Sequence, residues 1–244
     1  MPQSPLFQFH QASKSFGPSV VLENLNLRIQ PGEFLVLLGP SGCGKSTVLR
    51  LLAGLEDLSA GKLDKAQTPN LSYVFQDPRL LPWRSVCENV LLPFELLRKP
   101  APNPKPWLEK VGLWEARDLY PHQLSGGMRM RASLARALIT NPDILLLDEP
   151  LSSLDEVTRE ELQDFLRQLW SEKSFTTIFV THSLREAVFL GQRLVIMGRD
   201  HGKILHDDPL PELKRDGETR SSGEFQALVH QLTARFRAAL REDL

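Results

Sequence analysis

FLVLLGPSGCGKSTVLRLLAG, residues 34–54, runs from an unbroken apolar stretch through a glycine-rich loop into a second apolar segment. Five consecutive apolar residues, Phe34 to Leu38, suit a strand buried on both faces, and the VLRLLAG that follows suits a helix. Between them, Gly39 to Thr47 is a phosphate-binding loop in the strand-loop-helix setting its chemistry requires. Gly39, Gly42 and Gly44 permit backbone angles that aim successive N–H groups at one point, and the helix N-terminus favours an anion by about 0.3–1 kcal/mol. Pro40, Ser41 and Cys43 complete the loop, Cys43 as a small filler. Lys45 is placed to neutralise the β- and γ-phosphates of a nucleotide. Ser46 offers a hydroxyl to Mg2+, an ion that accepts few protein ligands, and Thr47 is the neighbouring hydroxyl near the α-phosphate. The competing reading, a glycine-rich turn without function, is weakened by the strand and helix on either side.

A second buried strand ends in charge. ILLLDEP, Ile144 to Pro150, carries four apolar residues and then two carboxylates. Side chains at the carboxyl end of a strand in an open α/β sheet face the ligand crevice. Asp148 is therefore expected to hold Mg2+, directly or through water, and Glu149 to polarise an attacking water. Two adjacent acids usually mean a solvated turn, but here that would leave charge at the end of a buried strand with no cation to balance it.

The remaining pattern sets the fold class. Phe7 and Phe9, then Leu25, Leu27 and Ile29, alternate with polar residues, as in a small half-exposed antiparallel sheet. Short apolar runs at 71–75, 178–180 and 194–197 read as further core strands, and helical patterns at 45–53, 127–139, 157–170 and 183–190 alternate with them, which gives an α/β fold with a mainly parallel sheet. The proline-rich RKPAPNPKP, flanked by helical patterns at 107–111 and 113–119, marks a small helical subdomain, about 77–141. Beyond Asp207 the text reads as surface loop, followed by a helix over about 224–241 whose apolar residues, Phe225, Leu228, Val229, Leu232, Phe236 and Leu240, dock on the core.

Length and charge exclude several classes. With 244 residues and 41% hydrophobic content, one domain with a single core is expected. Twenty-nine basic against thirty acidic residues argue against a protein whose affinity comes from neutralising nucleic-acid phosphates. Cys43 and Cys87 form no C-x-x-C pair, so neither disulfide framework nor zinc site is indicated, and a reducing cytosol is the simplest compartment. The amino terminus has no basic segment followed by an apolar run, and no stretch approaches the ~20 apolar residues of a spanning helix. Any membrane role is expected to be peripheral.

LSGGMRMRASLARAL, Leu124 to Leu138, lies upstream of ILLLDEP and resembles the signature of the ABC (ATP-binding cassette) family, usually LSGGQ, with its following helix. Physically, Ser125 can cap a helix while Gly126 and Gly127 let its amides approach an anion, making a second phosphate site. The resemblance implies a P-loop NTPase (RecA-like) core, with an N-terminal antiparallel β-subdomain and a small α-helical subdomain. It further implies a head-to-tail homodimer in which ATP lies between the phosphate loop of one copy and the signature of the other. The other family positions follow in order: Phe16, in SKSFG, matches the residue that stacks on adenine; Gln76, in VFQD, the glutamine that links Mg2+ and the γ-phosphate to a membrane subunit; Ser152 to Asp155 the loop across the dimer interface; and His182, in FVTHS, the switch histidine at the γ-phosphate.

RLLPWRSVCENV, Arg79 to Val90, and Met128 in place of the usual glutamine, are similar to the ATPases of nitrate, sulfonate and taurine importers. That likeness implies an ATPase on the cytoplasmic face of the inner membrane that energises transport of a small solute through transmembrane permease subunits, and indirectly a solute-binding protein, with coupling through Gln76 and the apolar Leu80, Leu81 and Trp83. An exporter ATPase shares the nucleotide motifs. So does an ABC ATPase of DNA repair or translation, which usually carries coiled-coil or zinc insertions or a second cassette, neither of which occurs here. A binding module without catalysis is disfavoured by the retention of Lys45, Asp148, Glu149 and His182.

Overall fold

The computed structural model describes residues 4–66, 69–173, 175–212 and 218–242. In chain order its elements are β1 (Phe7–Phe16), β2 (Ser19–Ile29), β3 (Phe34–Leu38), α1 (Lys45–Leu52), β4 (Ala60–Lys65), β5 (Leu71–Val74), α2 (Val86–Leu96), α3 (Lys105–Lys110), α4 (Gly126–Leu138), β6 (Ile144–Asp148), α5 (Glu156–Lys173), β7 (Thr176–Thr181), α6 (Leu184–Leu190), β8 (Arg193–Met197), β9 (Ile204–Pro209) and α7 (Gly223–Glu242). Two compact units divide the chain, one from Met1–Thr68 and Leu166–Leu244, the other from Pro69–Phe165.

In the first unit β7, β3 and β8 run parallel, and β9 is antiparallel to β8. Every residue of β3 and β7 is buried, which is why these strands are continuously apolar or threonine-rich and do not alternate. Phe34 meets Trp170 edge to face at 6.0 Å between ring centroids. Helix α7 buries Phe225, Leu232 and Ala239, seven residues apart, and Phe225 packs edge-on against Phe189 of α6 at 6.5 Å. Among the described residues no helix is long and apolar enough to cross a membrane.

Strand β9 corrects the reading of a surface loop beyond Asp207. Asp207 and Asp208 pair with Val195 and Leu194 of β8. The polar text hides the strand because Arg193 pulls it in: its guanidinium donates to both oxygens of Asp207, at 2.6 and 2.7 Å, and to the Arg28 carbonyl at 2.8 Å. Residues 213–217 of that expected loop lie outside the described residues.

The antiparallel sheet has the order β2-β1-β4, β4 (AGKLDK) being a polar strand that alternation does not reveal. A bulge interrupts β1. Phe9 pairs with Leu27 and Ala12 with Leu25, while His10 pairs with Lys62 and Ser13 with Ala60, so β1 carries one extra residue against both neighbours. Gln11 is at φ 44. The extra residue switches parity: Phe7 and Phe9 are buried, and beyond it Ala12 and Lys14 are. Gly61 is required opposite, since a Cβ there would lie 2.2 Å from the Gln11 carbonyl oxygen.

The second unit pairs β5 with β6 in parallel. Val86, Val90, Leu108, Val111, Leu113, Leu124, Ala132, Ala135 and Ile139 form its apolar cluster. Helix α2 opens on a capping box, Ser85 Oγ accepting from the Glu88 amide and the Glu88 carboxylate from the Ser85 amide. The helical reading of 113–119 shrinks to a single 3-10 turn, Trp114–Ala116. Pro121 follows closely and favours the extended backbone of Tyr120, at ψ 158.

Candidate functional site

The phosphate loop leaves the sheet at the carboxyl end of β3. Leu38 pairs with Thr181 of β7, so Gly39 and His182 depart side by side, about one strand spacing, ~4.8 Å, apart. His182 is exposed, and its neighbours are pinned: the Thr181 hydroxyl donates to Glu186 Oε2 at 2.6 Å and accepts the Ser183 amide at 2.9 Å. Helix α1 begins on Gly44 at φ 99, with no side-chain cap and no acidic residue in its first turn. A Cβ on Gly44 would be strained and would lie 2.6 Å from Leu22 Cδ2. Gly39 owes its size to packing, with Met197 O and Cys43 Sγ at 2.6 and 2.7 Å from any Cβ.

Lys45 is 4% exposed, and its ammonium donates to the Gly39 and Pro40 carbonyls at 2.9 and 2.8 Å. It also lies 3.8 Å from Cys43 Sγ. Burial raises the Cys43 thiol above its ordinary pKa, partly offset by Lys45, so Cys43 stays a neutral filler. Thr47 is buried and Ser46 half-buried, while Ser41 and Gly42 face solvent. Phe16 sits where β1 turns into β2, paired with Ser19. From there the strand runs about 10 Å to Leu22, the residue against Gly44, so one strand ties the aromatic ring to the loop.

In the second unit the acidic strand end and its neighbours come together. Val74 pairs with Leu147, so Gln76 and Asp148–Glu149 emerge at the same end of paired strands. The Tyr73 hydroxyl donates to Asp148 Oδ2 at 2.9 Å. Tyr73 stacks on Phe75 at 4.2 Å between centroids, and the Arg79 guanidinium lies over Phe75 at 4.3 Å. Gln76 Nε2 donates to Ser152 Oγ at 3.4 Å, and that hydroxyl donates to the Glu149 carbonyl at 3.0 Å. Glu149 itself is at φ 46, a conformation that costs a non-glycine residue about 1–3 kcal/mol and gathers at functional sites. Sequence reasoning missed Tyr73; its signal was a phenol in an apolar run read as a core strand, where a hydroxyl that is buried finds a partner.

In the same unit Ser125 caps α4, its hydroxyl accepting the Met128 amide at 3.2 Å. The two glycines differ. A Cβ on Gly126 meets nothing within 4 Å, whereas one on Gly127 would strike Thr158 Cγ2 at 2.6 Å. Gly127 is thus explained by packing against α5 and Gly126 is not. Asp155 Oδ1 accepts the Thr158 amide at 3.0 Å and starts α5, and Arg159 donates to the Leu154 carbonyl at 2.6 Å, fixing the 152–155 turn.

The apolar segment before α2 is organised by Asn89, a second residue the sequence reading passed over. Asn89 is fully buried; its carboxamide accepts the Leu81 amide at 2.7 Å and donates to the carbonyls of Leu81, Arg84 and Ser85 at 3.0–3.1 Å. The loop so fixed leaves Trp83 70% exposed, far more than a structural tryptophan keeps. A buried-side asparagine in an otherwise apolar helix was the available sign.

The residues expected to hold a metal carry only hard oxygens: in the first unit the Ser46 hydroxyl, and in the second the Asp148 carboxylate and the Gln76 carboxamide, whose nitrogen is turned to Ser152. Among the described residues no three His, Cys, Asp or Glu side chains gather into a metal site. Such a sparse set fits Mg2+, which keeps waters and takes substrate phosphate oxygens, and does not fit zinc.

Residues 22–152 match the family model described as ABC transporter. The chain is 44% identical over 227 residues to the aliphatic sulfonates import ATP-binding protein SsuB 1 of Burkholderia lata, covering 91% of this chain and 69% of that protein. Against the protein of the same name in Rhizobium johnstonii it is 46% identical over 207 residues, 81% of this chain and 74% of the relative. In Agrobacterium fabrum the figures are 40% over 237 residues, 94% and 84%. Among solved structures, a dimeric post-hydrolysis ATP-binding cassette bound to ADP and phosphate aligns with a TM-score of 0.75 and 29% identity, over 85% of this chain and all of that one. The cbiO1 protein of Clostridium perfringens, part of the ABC transporter complex cbiONQ, has a TM-score of 0.76 at 23% identity over 95% of this chain and all of that one, a likeness of fold.

Proposed function

The chain belongs to the ABC transporter family, and from that premise we propose that it is the ATP-hydrolysing subunit of an importer for a small solute of the sulfonate, taurine or nitrate class. The observation that carries the reading is the start of α1. Helices α2, α4 and α6 each spend a serine on their own first turn, but α1 starts on a left-handed glycine with no side-chain cap. A helix N-terminus without its own cap, beside a lysine folded onto the loop, is built for a phosphate.

Two copies arranged head to tail place Ser125, Gly126 and Gly127 of one against the γ-phosphate held by Gly39–Thr47 of the other. Phe16 stacks on the adenine. Ser46, Gln76 and Asp148 hold Mg2+, which when bound neutralises charge on the β- and γ-phosphates. Lys45 and His182 stabilise charge developing on the transferred phosphoryl group, while Glu149 orients the attacking water, and positioning of this kind supplies most of the catalysis. Closing and reopening of the pair is passed to the permease subunits through Gln76 and the exposed apolar segment around Trp83. The subunit works on the cytoplasmic face of the inner membrane, meets the solute-binding protein only through the permease, and has no nucleic-acid partner.

Glu149→Gln is the test. The variant is expected to bind ATP with unchanged affinity, to accumulate as an ATP-bound dimer, and to lose turnover by about 10²-fold or more. Undiminished phosphate release from it would refute the role.

A further inference from the structure

The sequence motif around Phe16 contains a lysine that the reading of the site leaves without a task. Lys14 is two residues before Phe16 on β1, on the same face, and it faces inward only because the bulge at Gln11 switches the strand's parity. It is 9% exposed, which is rare for lysine unless the charge is paired. Its ammonium is gripped from one side, by Glu56 Oε2 at 2.9 Å and by the Asp57 carbonyl at 2.8 Å. On the other side it lies over the Phe16 ring, 4.6 Å from the centroid. Phe16 nonetheless remains 42% exposed.

We propose that Lys14 is a positioning residue for the nucleotide base, holding the Phe16 ring and polarising it for stacking on adenine. The proposal rests on Phe16 being the base-stacking residue. A benzene ring is electron-rich on both faces. A cation fixed against one face draws that density toward itself, and the opposite face becomes a better partner for an electron-rich purine. Because Glu56 and the Asp57 carbonyl anchor the ammonium from behind, the ring is also held in one orientation before the nucleotide arrives, so less ordering cost falls on binding. Nothing in this arrangement touches the phosphates, so the effect belongs to the base alone.

The test is calorimetric titration of the full chain with ATP and with tripolyphosphate, which has no base. Lys14→Met is expected to weaken ATP binding about three- to tenfold and to leave tripolyphosphate unaffected, with kcat at saturating ATP unchanged. Lys14→Arg, which keeps a cation over the ring, should bind ATP within about twofold of the parent chain. In a Phe16→Leu background Lys14→Met should cause no further loss. If Phe16→Leu weakens ATP but Lys14→Met does not, the role of Lys14 is wrong and that of Phe16 survives. If Phe16→Leu leaves the preference for ATP over tripolyphosphate intact, the base reading falls and this inference with it. Equal weakening of both ligands by Lys14→Met would mark the lysine as a prop for the fold and overturn the proposal.

Discussion

Helices α1 and α4 both begin at a serine-and-glycine loop, and they begin differently. Helix α1 starts on Gly44 at φ 99 without a side-chain cap; α4 starts on Ser125, whose hydroxyl already accepts the Met128 amide. The first terminus leaves its anion to Lys45, glycine geometry and backbone dipoles. The second has spent one backbone donor on its own serine, but a hydroxyl that accepts one hydrogen bond still has a proton to donate. The first is thus proposed to bind in a single copy. The second, on the proposed function, adds its hydroxyl proton only when a phosphate is brought to it.

Breaking the first terminus should have the larger effect. Lys45→Met is expected to weaken ATP binding to a single copy by about 100-fold and to abolish hydrolysis, read by calorimetry and phosphate release. Binding within threefold of the parent chain would mean that α1 is not the primary phosphate site. Ser125→Ala tests the second. Loss of the cap should lower unfolding stability by about 1 kcal/mol, leave single-copy ATP affinity unchanged, and slow hydrolysis by the assembled pair about 10- to 100-fold. If the slowing is no more than the stability loss explains, the serine is only a cap. Met128→Gln should have the smallest consequence, less than about threefold in turnover, because the backbone amide that Ser125 uses is unchanged and methionine and glutamine have similar helix propensity. A larger gain or loss would show that the side chain at 128 reaches the opposing nucleotide.

The same contrast explains how much could be read from sequence. Glycine spacing, Lys45 and a strand of five apolar residues identify the first terminus because its function is carried by local backbone geometry. The acidic strand is legible for a similar reason, as burial and charge collide within seven residues. Tyr73 and Asn89 escaped because their roles are fixed by partners away from them along the chain: the phenol by Asp148 on a paired strand, the carboxamide by three carbonyls of a loop four to eight residues upstream. Strand β9 escaped because Arg193, not apolar alternation, holds it. The bulge in β1 was invisible for yet another reason. Alternation counted straight through FQFHQASKSF would turn Lys14 and Phe16 outward from the face that Phe7 and Phe9 bury, and only the pairing with both neighbours reveals the added residue.

That irregularity at Gln11 bears on the proposed discrimination among triphosphates. The loop that grips the phosphates is indifferent to what hangs from the ribose, so any preference for one base must be written elsewhere. On the proposed roles of Phe16 and Lys14 it is written in a peripheral sheet: one added residue in β1, accommodated by one glycine on the adjacent strand, decides on which side the ammonium and its aromatic neighbour emerge. On that proposal, fuel recognition depends on the punctuation of a peripheral sheet as much as on the chemistry of its loop.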